Sequence, residues 1–127
     1  MSREREHLAS AMGLLERLEP GAPDRVQANL DSFSPEAAEL ILGYAFCDIV
    51  SRDGIDLRTR EMLTVAMLAA MGTAQGQLEF HMRAAMNTGV TREEIVEIVL
   101  QVSVYAGVPA AMNAITAAKA AFANIGV

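Results

Sequence analysis

The stretch QLEFHMRAAMNTGVTREEIVEIVLQVSVYAGVP, residues 77–109, reads as two helices with the break between them spelled out. Leu78, His81 and Ala85 recur at three- and four-residue spacing on one side, while Glu79 and Arg83 occupy another. That repeat is the signature of an amphipathic helix. Gly89 then stands where a helix commonly ends in the left-handed conformation that a residue without Cβ adopts freely. The four residues Thr91–Glu94 (TREE) form a capping box. Its threonine hydroxyl serves an orphan amide of the first turn and its glutamate reaches back to the cap, opening a helix that runs to about Tyr105.

Working outward, no segment alternates apolar and polar residues with a period of two between turn residues, so the chain reads as all-α. Thr73 is placed to cap the histidine-bearing helix. Upstream, Asp56 can cap a helix over Leu57–Met71, in which Met62 to Met71 carries no charge. Such a run predicts burial on every side and a central position in the fold. Ser34, as N-cap, and Pro35, at the first helical position, open a helix to about Val50, and SRDGID follows it as a loop. A first helix over Arg3–Leu18 stops at EPGAPD, and a short one spans about Pro23 to Leu30. Downstream, Gly107 and Pro109 precede a last helix of small residues, AAMNAITAAKAAFANI, whose alanines let helices approach closely. The expectation is a single domain over residues 1–127 of about six to seven helices, with the N-terminal helices in residues 1–32.

Composition narrows the function. The net charge of −6 argues against nucleic acid or an anionic membrane as partner, since both attract basic surfaces. The apolar share of 52% is slightly above what an ordinary soluble monomer uses, yet no uncharged run reaches the roughly 18 residues of a membrane span. Spare apolar surface of this kind predicts a homo-oligomer. The N-terminus lacks an apolar signal core, so a cytoplasmic location is expected. One cysteine, Cys47, excludes an internal disulfide and any CxxC pair, and two histidines with one cysteine make a poor transition-metal set, so no metal is expected. GxGxxG, Walker, HExxH and GxSxG motifs are all missing.

The chemistry-bearing residues are few. His81, a titratable imidazole on an apolar stripe, is the first candidate for proton transfer, against the plainer role of a hydrogen-bonded core histidine. Glu61 is the last charge before the uncharged run, at the edge of the expected core. Arg52, Arg58 and Arg60 around a loop and helix start could build a carboxylate-binding corner, or form a solvated face neutralised by Asp53 and Asp56. Glu79 and Arg83 form an i,i+4 pair. His7 is expected to be exposed, the eight methionines to fill the core, and Cys47 to be inert packing.

The segments FCDIVSRDGIDLRTREMLTVAMLAAMG and LEFHMRAAMNTGVTREEIVEIVLQVSVYAGVPAA, in that order, resemble the carboxymuconolactone decarboxylase family across about residues 33–122. The resemblance implies an alkylhydroperoxidase D-like all-α fold, trimers or hexamers, and a site near a subunit interface. Peroxidase relatives carry a glutamate, a CxxC pair and a histidine. Glu61 and His81 match the outer members, but Ala74 and Gln77 occupy the cysteine positions, which disfavours a thiol peroxidase. Where similar decarboxylases often show FG, an aromatic residue and RPG, this chain has Phe46-Cys47, Val50 and Arg52-Asp53-Gly54. The implied reaction is cofactor-independent loss of CO2 from 4-carboxymuconolactone or a similar anionic lactone in aromatic-acid catabolism. In it, His81 and Glu61 are catalytic, one of Arg52, Arg58 and Arg60 anchors the substrate, and Leu78 and Met82 exclude water. The alternatives are a relative acting on another small molecule, as an isomerase or tailoring enzyme, and a non-catalytic ligand-binding assembly.

Overall fold

Seven helices and no strand make up the described residues, which in this computed structural model are 3–127, with side chains from residue 6 onward. They are α1 (Arg3–Leu18), α2 (Ala22–Asp31), α3 (Ala38–Ile49), α4 (Leu57–Met71), α5 (Gln75–Asn87), α6 (Arg92–Tyr105) and α7 (Val108–Ile125). No helix is long and apolar enough to cross a membrane. The chain divides into two compact units, one ending at Leu57 and one beginning at Arg58.

In the first unit α1 packs along α3, with α2 against both. Leu14, Leu15 and Leu18 of α1 and Leu42 of α3 are buried there. Two expectations change. Ser34 does not cap a helix directly. Its carbonyl accepts from the Ala37 amide (3.2 Å) and its hydroxyl bonds the Glu36 carboxylate (3.0 Å), making a turn before α3 begins. From Ala38 the chain is wound as a π-helix that ends with the Val50 amide on the Ala45 carbonyl, five residues back. The second change concerns His7, which is not simply exposed. Its Nδ1 is bonded to Glu39 and its Nε2 lies 2.8 Å from Asp48 Oδ1. The Glu39 hydrogen bond raises the imidazole above its ordinary range, more than its partial desolvation lowers it, and Asp48 adds to the rise.

The second unit is built around α7, against which α5 and α6 both pack. The small residues explain this: Ala111, Ala114, Ala117, Ala118 and Ala121 are all buried, with Phe122 closing the row. Ile95, Val99 and Val102 of α6, Leu78, Met82 and Ala85 of α5, and Val65 and Ala69 of α4 complete one core. The uncharged run of α4 was expected to be buried all round and central. Instead Leu63, Met67 and Met71 are 45%, 58% and 60% exposed. Only one stripe of α4 enters the core, and the central place goes to α7, whose alanines admit closer neighbours than leucine and methionine allow.

The punctuation between α5 and α6 forms as the sequence spells it. Gly89 has φ of 105°. The amides of Gly89 and Val90 bond the carbonyls of Met86 and Ala85, both at 3.1 Å, a Schellman closure. Thr91 and Glu94 complete the capping box, with Glu94 N–H on the threonine hydroxyl at 3.1 Å and Thr91 N–H on the Glu94 carboxylate at 2.9 Å. The cap of α5 differs from expectation: Ala74 holds that position with no side-chain cap, one residue beyond Thr73.

Candidate active site

Glu61, Val65 and Ala69 follow one another at four-residue intervals and are the three buried residues of α4. The carboxylate therefore sits on the same stripe as the core side chains, wholly shielded from solvent. An ionised carboxylate there requires a donor. Helix α5 supplies it: His81 Nδ1 lies 2.8 Å from Glu61 Oε1. The second carboxylate oxygen, Oε2, is buried and has no hydrogen-bond partner among the described residues. Such an orphaned acceptor is uncommon in native interiors and asks for a functional reason.

His81 is held by its neighbours along α5. Leu78 and Met82, three residues before and one after it, are buried in the core and fix that face of the helix. The Phe80 ring meets the imidazole edge-on, with centroids 4.9 Å apart and planes at 87°. The imidazole itself is 13% exposed, at the rim of the stripe rather than beneath it. With Glu61 as carboxylate, Nδ1–H is the donor and Oε1 the acceptor of this bond. The geometry is that of a histidine whose tautomer and orientation are set by a dry carboxylate. Glu79 and Arg83 form the expected i,i+4 pair (3.1 Å), and the Arg83 guanidinium also lies 5.8 Å from the Phe80 ring centre.

The three arginines divide between the two units. Arg52 belongs to the first unit, in the loop after α3, where it lines a cleft of about 600 Å³ with Arg17, Asp53 and Asp56 among others. Arg58 and Arg60 belong to the second unit. Arg58 pairs with Glu94, rather than with Asp53 or Asp56, and also reaches the Gly89 carbonyl (3.4 Å) and Met62 Sδ (3.7 Å). It thus ties the start of α4 to the α5–α6 turn, and its hydrogen bond holds the Glu94 carboxyl below its usual range. Arg60, half-buried, stands in the first turn of α4, its carbonyl accepting from the Thr64 hydroxyl at 2.9 Å.

One feature that the residue-by-residue reading of candidates passed over is an apolar groove of about 410 Å³ between α4 and α6. Met62, the residue after Glu61, is on its wall, with Met67, Ile98, Gln101 and Tyr105 among the others. The signal was present in the sequence. Helix α6 is apolar on more sides than one core stripe needs, and Leu100, Val104 and Tyr105 remain exposed.

Residues 35–120, which include Glu61 and His81, match the family described as the carboxymuconolactone decarboxylase family. The chain is 36% identical over 104 residues to the 4-carboxymuconolactone decarboxylase of Acinetobacter baylyi, covering 82% of this chain and 77% of that protein. It is 36% identical over 86 residues to the nitrosuccinic acid decarboxylase of Metarhizium robertsii, covering 68% of this chain and 59% of that one. It is also 35% identical over 75 residues to an uncharacterized 15.0 kDa protein of Paracoccus denitrificans, covering 58% of this chain and 56% of the relative.

Proposed function

We propose that this chain, which belongs to the carboxymuconolactone decarboxylase family, removes CO2 from 4-carboxymuconolactone or a similar carboxylated unsaturated lactone. The observation that carries the reading is the Glu61–His81 pair: an imidazole at a solvent-poor rim, oriented through Nδ1 by a buried carboxylate. Two relatives named as decarboxylases support the reaction class.

The chemistry asks little of a cofactor. In such a lactone the departing carboxylate sits on the carbon vinylogous to the lactone carbonyl, so the electron pair left by CO2 spreads into a dienolate. The substrate is its own electron sink. The protein then has three tasks: hold a retained carboxylate, keep water from the reacting carbon, and return a proton to it. His81 is assigned the proton, delivered from Nε2, with Glu61 fixing the tautomer that makes this nitrogen the donor. Leu78 and Met82 keep the face of α5 beneath the ring dry. Arg52, Arg58 and Arg60 are the candidate anchors; in Arg58 the guanidinium would be shared with Glu94. The exposed apolar residues of α4 and α6 support assembly into a homo-oligomer, with trimers or hexamers the forms that the family resemblance implies.

A second reading differs only in the electron sink. The relative named for nitrosuccinic acid is as similar, residue for residue, as the lactone-named one. A nitro group beside a carboxylate takes up the electron pair as a lactone carbonyl does, so a small nitro acid is the runner-up substrate.

Incubating the purified chain with carboxymuconolactone and, in parallel, with nitrosuccinic acid, while following CO2 release, distinguishes the two. His81→Ala should lower turnover at least about a hundredfold, within the range of general acid catalysis, with helicity unchanged. Parent activity with an unimpaired His81→Ala variant would end the assignment. Replacing each arginine singly should raise KM for a dicarboxylate but not for a monocarboxylate analogue if that residue is the anchor.

A further inference from the structure

Apart from the Glu61–His81 pair, a group of ligating side chains among the described residues lies in the first unit. His7 of α1 lays its ring over Gly43 of α3, where any Cβ would collide with the imidazole. The two ring nitrogens meet carboxylates at opposite ends, Glu39 at Nδ1 and Asp48 Oδ1 at Nε2, the latter at 2.8 Å. Cys47, partly buried, precedes Asp48, and one ligand atom each from His7, Cys47 and Asp48 lie within 4.8 Å of one another.

The winding of α3 produces this arrangement. Glu39 and Asp48 are nine positions apart, which in an α-helix is about two and a half turns and places them on opposite sides. In the wider coil of a π-helix, with about 4.4 residues per turn, the same nine positions come close to two full turns. Both carboxylates therefore face α1, with Gly43 between them as the bare floor on which the imidazole lies.

We propose that His7, Cys47 and Asp48 form a binding site for a divalent transition-metal ion of the zinc class, with Glu39 orienting the histidine. Imidazole, thiolate and carboxylate are the ligand types zinc takes, and a thiolate in the set selects against magnesium and calcium. Zinc at its usual ligand distances holds tetrahedral N and O ligands about 3.3 Å apart and N and S about 3.6 Å apart. The His7–Asp48 separation thus widens by roughly half an ångström and the sulfur closes in by on the order of 1 Å, shifts within the reach of side chains. A carboxylate on the far ring nitrogen is the outer partner that metal-binding histidines use to fix the ligating nitrogen, and Glu39 stands there. Its Oε2 is buried without a hydrogen-bond partner among the described residues, so the carboxylate has spare capacity for charge nearby. The expectation of no metal came from counting ligands along the chain. His7 and Asp48 are 41 positions apart, and only the fold brings them together.

The test uses the full chain, stripped with a chelator and dialysed against Zn2+, with Co2+ as a spectroscopic substitute. One zinc per chain and a thiolate-to-cobalt charge-transfer band in the near ultraviolet are expected. His7→Gln and Asp48→Asn should each weaken zinc binding at least about tenfold. Cys47→Ser, which leaves the His7 hydrogen bonds in place and so should keep its helicity, should abolish the cobalt band. Zinc uptake no greater than that of a His7→Gln/Cys47→Ser double variant, or a cobalt band that survives Cys47→Ser, overturns the proposal. Neither result bears on the Glu61–His81 chemistry, which is read from CO2 release.

Discussion

His81 rests its Nδ1, at 2.8 Å, on the carboxylate of Glu61, a side chain that solvent does not reach. A carboxylate in that position can set the ring's orientation without competing for substrate. Glu61→Gln keeps the shape and one acceptor but loses the charge. We expect kcat to fall about tenfold to a hundredfold, less than on loss of His81, with KM nearly unchanged and the pH–rate profile displaced. A Glu61→Gln enzyme with the parent's kcat and pH profile would remove Glu61 from the mechanism.

The Arg58–Glu94 pair makes the second unit sensitive to acid. Glu94 titrates below its ordinary value of 4.5, chiefly because Arg58 donates to its charged form and secondly because the Thr91 amide does. A carboxyl that holds its proton less tightly folded than unfolded contributes stability that is whole above the unfolded value and is lost as pH falls through the folded one. Thermal unfolding should therefore show a Tm that declines below about pH 4.5. In Glu94→Gln that acid limb should be flatter. An identical limb in both proteins would show that the pair contributes nothing.

Gly89→Ala isolates a backbone effect. The glycine sits at φ of 105°, and the nearest atom to an added Cβ, apart from the chain neighbours, would be Arg58 Cδ at 3.9 Å, so there is room for the methyl group. The cost is conformational alone, about 1–2 kcal/mol. Urea denaturation should report that loss with an unchanged m-value. A neutral result would mean that the turn relaxes without losing its Schellman bonds.

Met67, 58% exposed on an uncharged helix and on the wall of the α4–α6 groove, tests the assembly. Met67→Glu places a charge on the proposed contact face without touching the core. Light scattering after size-exclusion chromatography should show a smaller particle, with helicity retained. An unaltered mass would place the subunit contact elsewhere.

The parts of the fold legible in sequence are those set by local chemistry. The capping box at Thr91–Glu94 and the left-handed stop at Gly89 each satisfy backbone groups within a few residues, so their residue types suffice to announce them. The pairing of Glu61 with His81 was only half legible. Each stood out for its place on or beside an apolar stripe, but nothing in one helix says which residue of another it meets. The burial of α4 was misjudged because an uncharged run has the same appearance whether it faces a core or an exposed groove. Arg58 was read with Asp53 and Asp56, its neighbours in the chain, whereas its partner lies 36 positions away. His7 was misjudged for the same reason. Its surroundings come from α3, and the charged residues beside it in α1 gave no hint of them.

The π-wound α3 also sets a rule for how this segment tolerates change in length. Excising one residue between Gly43 and Cys47, such as Ala45, would keep every acidic and sulfur-bearing side chain yet bring Glu39 and Asp48 to eight positions apart. Helix phase, rather than composition, would be the casualty. Asp48 would swing away from the imidazole, and α1 would lose one of its two polar clasps while the sequence still looked intact.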